Sequence, residues 1–186
     1  MQGPHVNIPN LLTIARIFLV PVVIWLIIRG ENLAAFWVFV LAGATDAVDG
    51  YLARRWDQRS ELGAYLDALA DKMLLVSIYV ALSAVDGIPV WLTIAVVSRD
   101  IMIIGAVILS WLLDRPVVIA PLLVSKLNTV LQIVYAALAL GTRGYGLDLG
   151  ATLPALSGAV VLLTLLSAAA YLAEWMRHMA GAQPTP

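Results

Sequence analysis

Apolar stretches divide the sequence into six segments, near 10–29, 32–55, 60–84, 88–113, 119–141 and 150–175. Each is long enough to cross about 30 Å of hydrocarbon as a helix of about 20 residues. Only the last is an uninterrupted apolar run. The other five carry charges or amides within their spans, a pattern that predicts a polar cavity inside a bundle and not six lipid-facing anchors. The breaks are short and rich in helix-ending residues: Arg29-Gly30-Glu31-Asn32, Asp86-Gly87-Ile88-Pro89, Asp114-Arg115-Pro116 and 141–150. Trp25, Trp37, Trp56, Trp91, Trp111 and Trp175 all fall near an expected helix end, as an interfacial aromatic belt requires. The expected fold is all-α: one domain over 1–186, a polytopic bundle of six transmembrane helices with a cytoplasm-facing polar cavity.

Composition supports a lipid solvent. The chain has 186 residues, 62% of them hydrophobic and only 12% charged, and its mean hydropathy is +0.94. One soluble core of this size could not hide so much apolar surface. A formal net charge of −1 argues against general attraction to nucleic acid. Cysteine is absent, which excludes disulfides and thiolate chemistry. Met1–Asn10 lacks a positive n-region, so the first segment is expected to be retained and not cleaved. Arg54, Arg55, Arg59, Arg115 and Arg177 fall on one side of the segmentation, and Arg29 and Arg143 on the other. The positive-inside rule then places both termini and the 54–60 loop in the cytoplasm, most simply across a bacterial inner membrane.

The departure from this apolar background lies at 46–72, DAVDGYLARRWDQRSELGAYLDALADK. Asp46 and Asp49 are three apart in the second segment, and Asp67 and Asp71 four apart in the third. Each spacing puts both carboxylates on one helical face. The short connection makes the two helices antiparallel neighbours, so the four carboxylates can converge about 10–15 Å below the cytoplasmic boundary. Each buried charge costs about 3 kcal/mol on insertion scales, and four together repel. The nearby basic residues are too few and too dispersed to neutralise them, which points to divalent metal. Oxygen-only ligands favour Mg²⁺, Mn²⁺ or Ca²⁺, and paired ions are a recurring device for phosphoryl transfer. His5 and His178 lie outside the segments and read as surface residues. Gly50 and Ala53 share the face of Asp46 and Asp49, Arg54 follows within reach of a phosphate, and Gly63 keeps the third helix slim beside Asp67. Metal, a floor of small residues and an arginine together describe a pocket for a pyrophosphate-containing nucleotide.

The string Asp46-x-x-Asp49-Gly50-x-x-Ala53-Arg54, eight residues, Gly63-x-x-x-Asp67-x-x-x-Asp71 resembles the signature of the CDP-alcohol phosphatidyltransferases at every fixed position. The resemblance implies six helices and two Mg²⁺ or Mn²⁺ ions, with Asp46 and Asp67 touching both. Asp49 would complete one ion's shell and Asp71 the other's, and Asp71 would also be the general base. Gly50, Arg54 and Ser60, with Pro9-Asn10 at the start of the first helix, would line the CDP-diacylglycerol site beside Ala53 and Gly63. Ile88–Thr93, Ser98–Met102 and Val124–Thr129 are similar to the cardiolipin synthase branch, and Asn7–Arg16 is shared with phosphatidylglycerophosphate synthases. The expected reaction joins CDP-diacylglycerol to phosphatidylglycerol and releases CMP; glycerol 3-phosphate is the alternative acceptor. A divalent-cation carrier is the rival of another class, but Met73–Val85 offers no acid for a route beyond Asp71.

Other polar residues within the spans are candidates for the same cavity. Asn10, Thr13 and Arg16 are explained equally by capping and snorkelling or by ligand contact. Arg99 and Asp100 read as an acceptor-phosphate binder and its support, or as a structural pair. Lys126 is a second phosphate candidate, with Asn128 beside it in a polar stripe of Ser125, Thr129 and Gln132 that also suits interhelical bonding. Lys72 has no assigned role. Glycine and alanine on the fourth helix permit close packing, so a homodimer is expected.

Overall fold

A computed structural model describes residues 8–56, 61–113 and 123–181, and side chains over 17–45, 72–113 and 123–181. Six helices follow in order: α1 Ile8–Ile28, α2 Asn32–Trp56, α3 Glu61–Ala84, α4 Val90–Leu112, α5 Leu123–Tyr145 and α6 Thr152–Met179. Among the described residues, α4, α5 and α6 are long and apolar enough to cross a membrane. In α1, α2 and α3 the described apolar runs are shorter: Ile17–Ile28, Asn32–Thr45 and Lys72–Ala84. The fourth and fifth segments thus reach spanning hydropathy despite Arg99, Asp100 and Lys126.

The chain groups into two compact units, one of residues 1–88 and 136–149, the other of 89–135 and 150–186. In the first unit, α1 packs against both α2 and α3. Its core is a set of stripes at helical spacing: Val20, Val23 and Ile27 on α1, Ala35, Phe39 and Ala42 on α2, Leu74, Ile78 and Leu82 on α3. Ala136, Ala139 and Leu140 from the second half of α5 complete it.

The helix ends explain the turns. At the end of α1, Gly30 adopts φ +78°. Its N–H donates to the Ile27 carbonyl at 3.0 Å, and the Glu31 N–H donates to that of Leu26 at 2.9 Å. This is a Schellman closure, which a left-handed glycine makes without strain. The end of α3 closes the same way, but a non-glycine residue, Asp86, takes the positive φ of 53°. The Arg143 guanidinium donates to the Val85 and Asp86 carbonyls at 3.4 Å each, supplementing the cap from α5.

The sequence predicts that the fifth helix ends at Gly141. Instead it continues to Tyr145, because its glycines serve contact and not termination. A Cβ on Gly141 would sit 3.3 Å from the Phe36 ring, and one on Gly144 only 2.7 Å from Leu33 Cα. Gly144 therefore lets α5 lie directly on the backbone at the start of α2. The end of α5 and the α1–α2 turn share one end of this unit, so Arg29 and Arg143 fall together, as their sidedness in the sequence requires. Gly144→Val should force α2 off α5 and cost about 1–3 kcal/mol. An unchanged melting temperature in detergent would remove this close approach from the account.

The second unit is polar inside and apolar outside. Thr93, Arg99, Ser110, Asn128, Gln132, Ser157, Thr164 and Ser167 are buried, while Ile94, Ile101, Ile108, Leu127, Val130, Leu162 and Leu165 are exposed. That inversion suits helices solvated by lipid, where apolar burial no longer drives association and polar contacts and close packing hold helices together. Ser157, Val160, Thr164, Ser167 and Tyr171 form the buried stripe of α6 at alternating steps of three and four. Here α4 and α6 run parallel, for Arg99 meets Ser167 while Ser110 meets Trp175. Trp91 and Trp111 are exposed near the ends of α4, as a belt requires. Trp175 differs: its indole N–H is shared between Ser110 Oγ at 2.7 Å and the Ala106 carbonyl at 3.1 Å.

Candidate functional site

Two regions carry the residues singled out above. The first is the aspartate pairs. Asp46 and Asp49 fall within α2, and Asp67 and Asp71 within α3, so each pair holds its expected helical register. On α2, Asp46 and Asp49 stand four and seven residues beyond the buried Ala42, continuing the spacing of Ala35, Phe39 and Ala42. On α3, Asp67 and Asp71 stand seven and three residues before the buried Leu74. Both pairs are thus in register with the stripes that make the core of the first unit. Gly50, Ala53 and Arg54 lie on the last turns of α2, Gly63 on the first turn of α3, and Pro9 and Asn10 on the first turn of α1. The side chains of all these residues, and Ser60 altogether, lie outside the described residues.

A set of four carboxylates fits hard divalent cations, which take oxygen ligands. Among the described residues, no group of three or more His, Asp or Glu could hold a metal ion. The aspartates of α2 and α3 lie outside that set.

The second region is a polar seam in the second unit. Arg99, only 6% exposed, extends from α4 between α5 and α6. Its Nη1 donates to Asp100 Oδ1 at 2.5 Å. Its Nη2 donates to Ser125 Oγ on α5 and, at 2.8 Å, to Ser167 Oγ on α6. Its Nε also donates to Ser167 Oγ, at 3.3 Å. The Tyr171 ring lies against the guanidinium, 5.5 Å from its centre. The sequence left Arg99 and Asp100 as phosphate binder and support or as a structural pair. The two side chains are bonded to one another, as either reading requires, and the arginine fork also spans three helices.

One turn further along α5, Asn128 is fully buried. Its Oδ1 accepts from the Thr164 hydroxyl at 3.0 Å, and Thr164 Oγ1 in turn accepts from Gln132 Nε2 at 3.5 Å. Ser125, Asn128 and Gln132 thus form the polar stripe expected on α5. Thr129 leaves it: the residue is exposed, and its hydroxyl turns back to the Ser125 carbonyl. Lys126 is exposed, on the side of α5 away from Asn128. Ser167, Tyr171 and Thr164 escaped the sequence reading because α6 looks uniformly apolar. Their spacing of three and four was the available signal.

The family model for CDP-alcohol phosphatidyltransferases matches residues 6–176. The chain belongs to this family. The match spans all six helices and runs through both compact units. The chain is 43% identical over 150 residues to "Cardiolipin synthase (CMP-forming)" of Homo sapiens, covering 72% of this chain and 50% of that protein. It is 35% identical over 160 residues to "CDP-diacylglycerol--glycerol-3-phosphate 3-phosphatidyltransferase 1, chloroplastic" of Oryza sativa subsp. japonica, covering 76% of this chain and 48% of that one. It is 30% identical over 185 residues to a "Probable phosphatidylglycerophosphate synthase" of Mycobacterium tuberculosis, covering 96% of this chain and 86% of that one. The chain therefore spans about half the length of the human and rice relatives and most of the mycobacterial one. The names of these relatives carry both products weighed from the sequence, cardiolipin and phosphatidylglycerophosphate.

Proposed function

We propose that the chain is a membrane-embedded phosphatidyltransferase, one domain of six spans, that makes cardiolipin from CDP-diacylglycerol and phosphatidylglycerol. The observation carrying this reading is the 43% identity to the human cardiolipin synthase, joined to an unbroken motif from Asp46 to Asp71. Asp46, Asp49, Asp67 and Asp71 would hold two divalent cations, Mg²⁺ or Mn²⁺, which would supply counter-charge for the phosphates and polarise the one being transferred. The register of both aspartate pairs with the buried stripes of α2 and α3 supports their convergence inside the bundle.

The chain's own groups do the rest. Pro9, Asn10, Gly50, Ala53, Arg54, Ser60 and Gly63 line the CDP-diacylglycerol site, with Arg54 balancing phosphate charge and the small residues admitting the nucleotide. Asp71 accepts the proton of the acceptor's terminal glycerol hydroxyl. That oxygen bonds to the phosphorus bearing diacylglycerol as the bond from that phosphorus to the CMP oxygen breaks. Positioning and fixed charge supply most of the rate in such transfers. Arg99, Lys126 and Asn128 serve the acceptor side. Of these, Asn128 and Arg99 lie in the buried seam, while Lys126 on the outer face of α5 suits a phosphate arriving from the membrane surface. The site and both termini face the cytoplasm, on the side of Arg54, Arg55 and Arg177, in a bacterial inner membrane. Two copies pair through small residues of α4, where a Cβ at Gly105 would meet nothing within 4 Å.

The rice and mycobacterial relatives favour glycerol 3-phosphate as the second reading. Purified protein with CDP-diacylglycerol and Mg²⁺ or Mn²⁺ separates the two. CMP and cardiolipin should form with phosphatidylglycerol, at a kcat/KM far above that for CMP release with glycerol 3-phosphate. Phosphatidylglycerophosphate as the sole product would overturn the acceptor and keep the chemistry. Absence of CMP with either would overturn both.

A further inference from the structure

The Asn128 amide is half satisfied in the least accessible part of the second unit. The residue is 0% exposed, and its Nδ2 has no hydrogen-bond partner among the described residues. The oxygen end of the amide is engaged by its neighbour. Thr164 Oγ1 accepts from Gln132 Nε2 and donates its own proton to Asn128 Oδ1. Nδ2 is left as the open end. Buried polar groups in native proteins nearly always have partners, and within a membrane bundle water is scarce. An unpaired amide there calls for an oxygen that the described residues do not supply, the place an acceptor's oxygen would take.

The charges around it say which oxygen. One turn along α5, Ser125 holds Arg99, whose guanidinium is paired with the Asp100 carboxylate and carries no net charge as a pair. Lys126 is exposed on the opposite side of α5, and Arg177 is exposed in the last turn of α6. Among the described residues of this unit, the seam thus offers a neutral donor beside a neutralised cation. That suits the single charge of a phosphodiester and not the double charge of a phosphomonoester.

We infer that Asn128 is a specificity-determining residue: its Nδ2 donates to a phosphodiester oxygen of the acceptor, selecting a lipid phosphodiester over a small phosphomonoester. The inference rests on the reading of the chain as a phosphatidyltransferase, which wild-type turnover tests separately. The experiment measures kcat and KM for phosphatidylglycerol and for glycerol 3-phosphate in the full chain, and KM for CDP-diacylglycerol, in wild type and two variants.

Asn128→Asp keeps an oxygen for the Thr164 hydroxyl but removes the donor. It should raise KM for phosphatidylglycerol at least about tenfold, the usual scale for one buried hydrogen bond to a charged group, with KM for CDP-diacylglycerol unchanged. Asn128→Lys adds a charge and should move the kcat/KM ratio at least about tenfold towards glycerol 3-phosphate. A purely structural residue would depress both acceptors in parallel and leave their ratio unmoved, which overturns the inference. An Asn128→Asp variant with wild-type KM for phosphatidylglycerol overturns it as well, whether or not the lysine variant folds. A wild-type protein inactive with both acceptors would instead sink the underlying reading.

Discussion

Asp71→Asn is expected to lower CMP release by about 10²–10⁴-fold, the range a positioned general base contributes, while the protein still inserts and binds CDP-diacylglycerol. The amide is close to isosteric with the carboxylate but cannot take a proton from the acceptor hydroxyl. Asp71 also stands in register with Leu74, Ile78 and Leu82, the buried stripe of α3. Removing one negative charge from a group of four should relieve repulsion in the empty protein, and folding should not suffer. The measurement is a CMP-release assay on purified variant beside a binding titration with CDP-diacylglycerol. Wild-type turnover in the variant would remove Asp71 as the base and move the search to the other three aspartates. Loss of binding together with turnover would leave Asp71 a metal ligand alone.

Arg99→Ala should be the most damaging single change in the second unit. The guanidinium is bonded to Asp100, Ser125 and Ser167 and lies against Tyr171, so one side chain joins α4 to both α5 and α6. Truncating one partner of a buried ion pair typically destabilises by about 3–5 kcal/mol, because the remaining charge loses its compensation. Arg99→Lys keeps a charge near Asp100 but has no planar fork to reach two hydroxyls on different helices. It should recover only part of the loss. Thermal unfolding in detergent, followed by intrinsic tryptophan fluorescence, to which Trp175 on the adjoining turn of α6 contributes, reads both variants. If Arg99→Ala melts with the wild type, the three-helix junction is not what holds this unit together.

Much of the candidate site was legible as spacing. Aspartates at 46, 49, 67 and 71, with small residues at 50, 53 and 63, carry the family motif without any coordinate. The structure adds that these positions continue the buried stripes of α2 and α3. The polar seam was legible only on α5, where Ser125, Asn128 and Gln132 stand out among apolar neighbours. Its other walls were not. Ser167 and Ser125 lie 68 and 26 residues from Arg99 in the chain, and no local pattern links them. Thr164 and Ser167 are small hydroxyls that an apolar average absorbs.

The chain by itself determined the number of helices and, to within two residues, the limits of all but α5 and the end of α6, which runs four residues further. In lipid the backbone must satisfy its own hydrogen bonds, so apolar segments become helices, and Gly or Pro between them ends each one. It also determined the register of the aspartates, since that depends only on residues per turn. Tertiary structure decided what depends on a neighbour's shape. It carried α5 on to Tyr145, because Gly141 and Gly144 admit Phe36 and the backbone of Leu33 and so do not end the helix. It turned Asn128 inward and Lys126 outward, two residues apart on one helix. It also gave Arg99 the Asp100, Ser125 and Ser167 partners that occupy its fork, because a buried guanidinium takes whichever acceptors the packing of α4, α5 and α6 brings within reach.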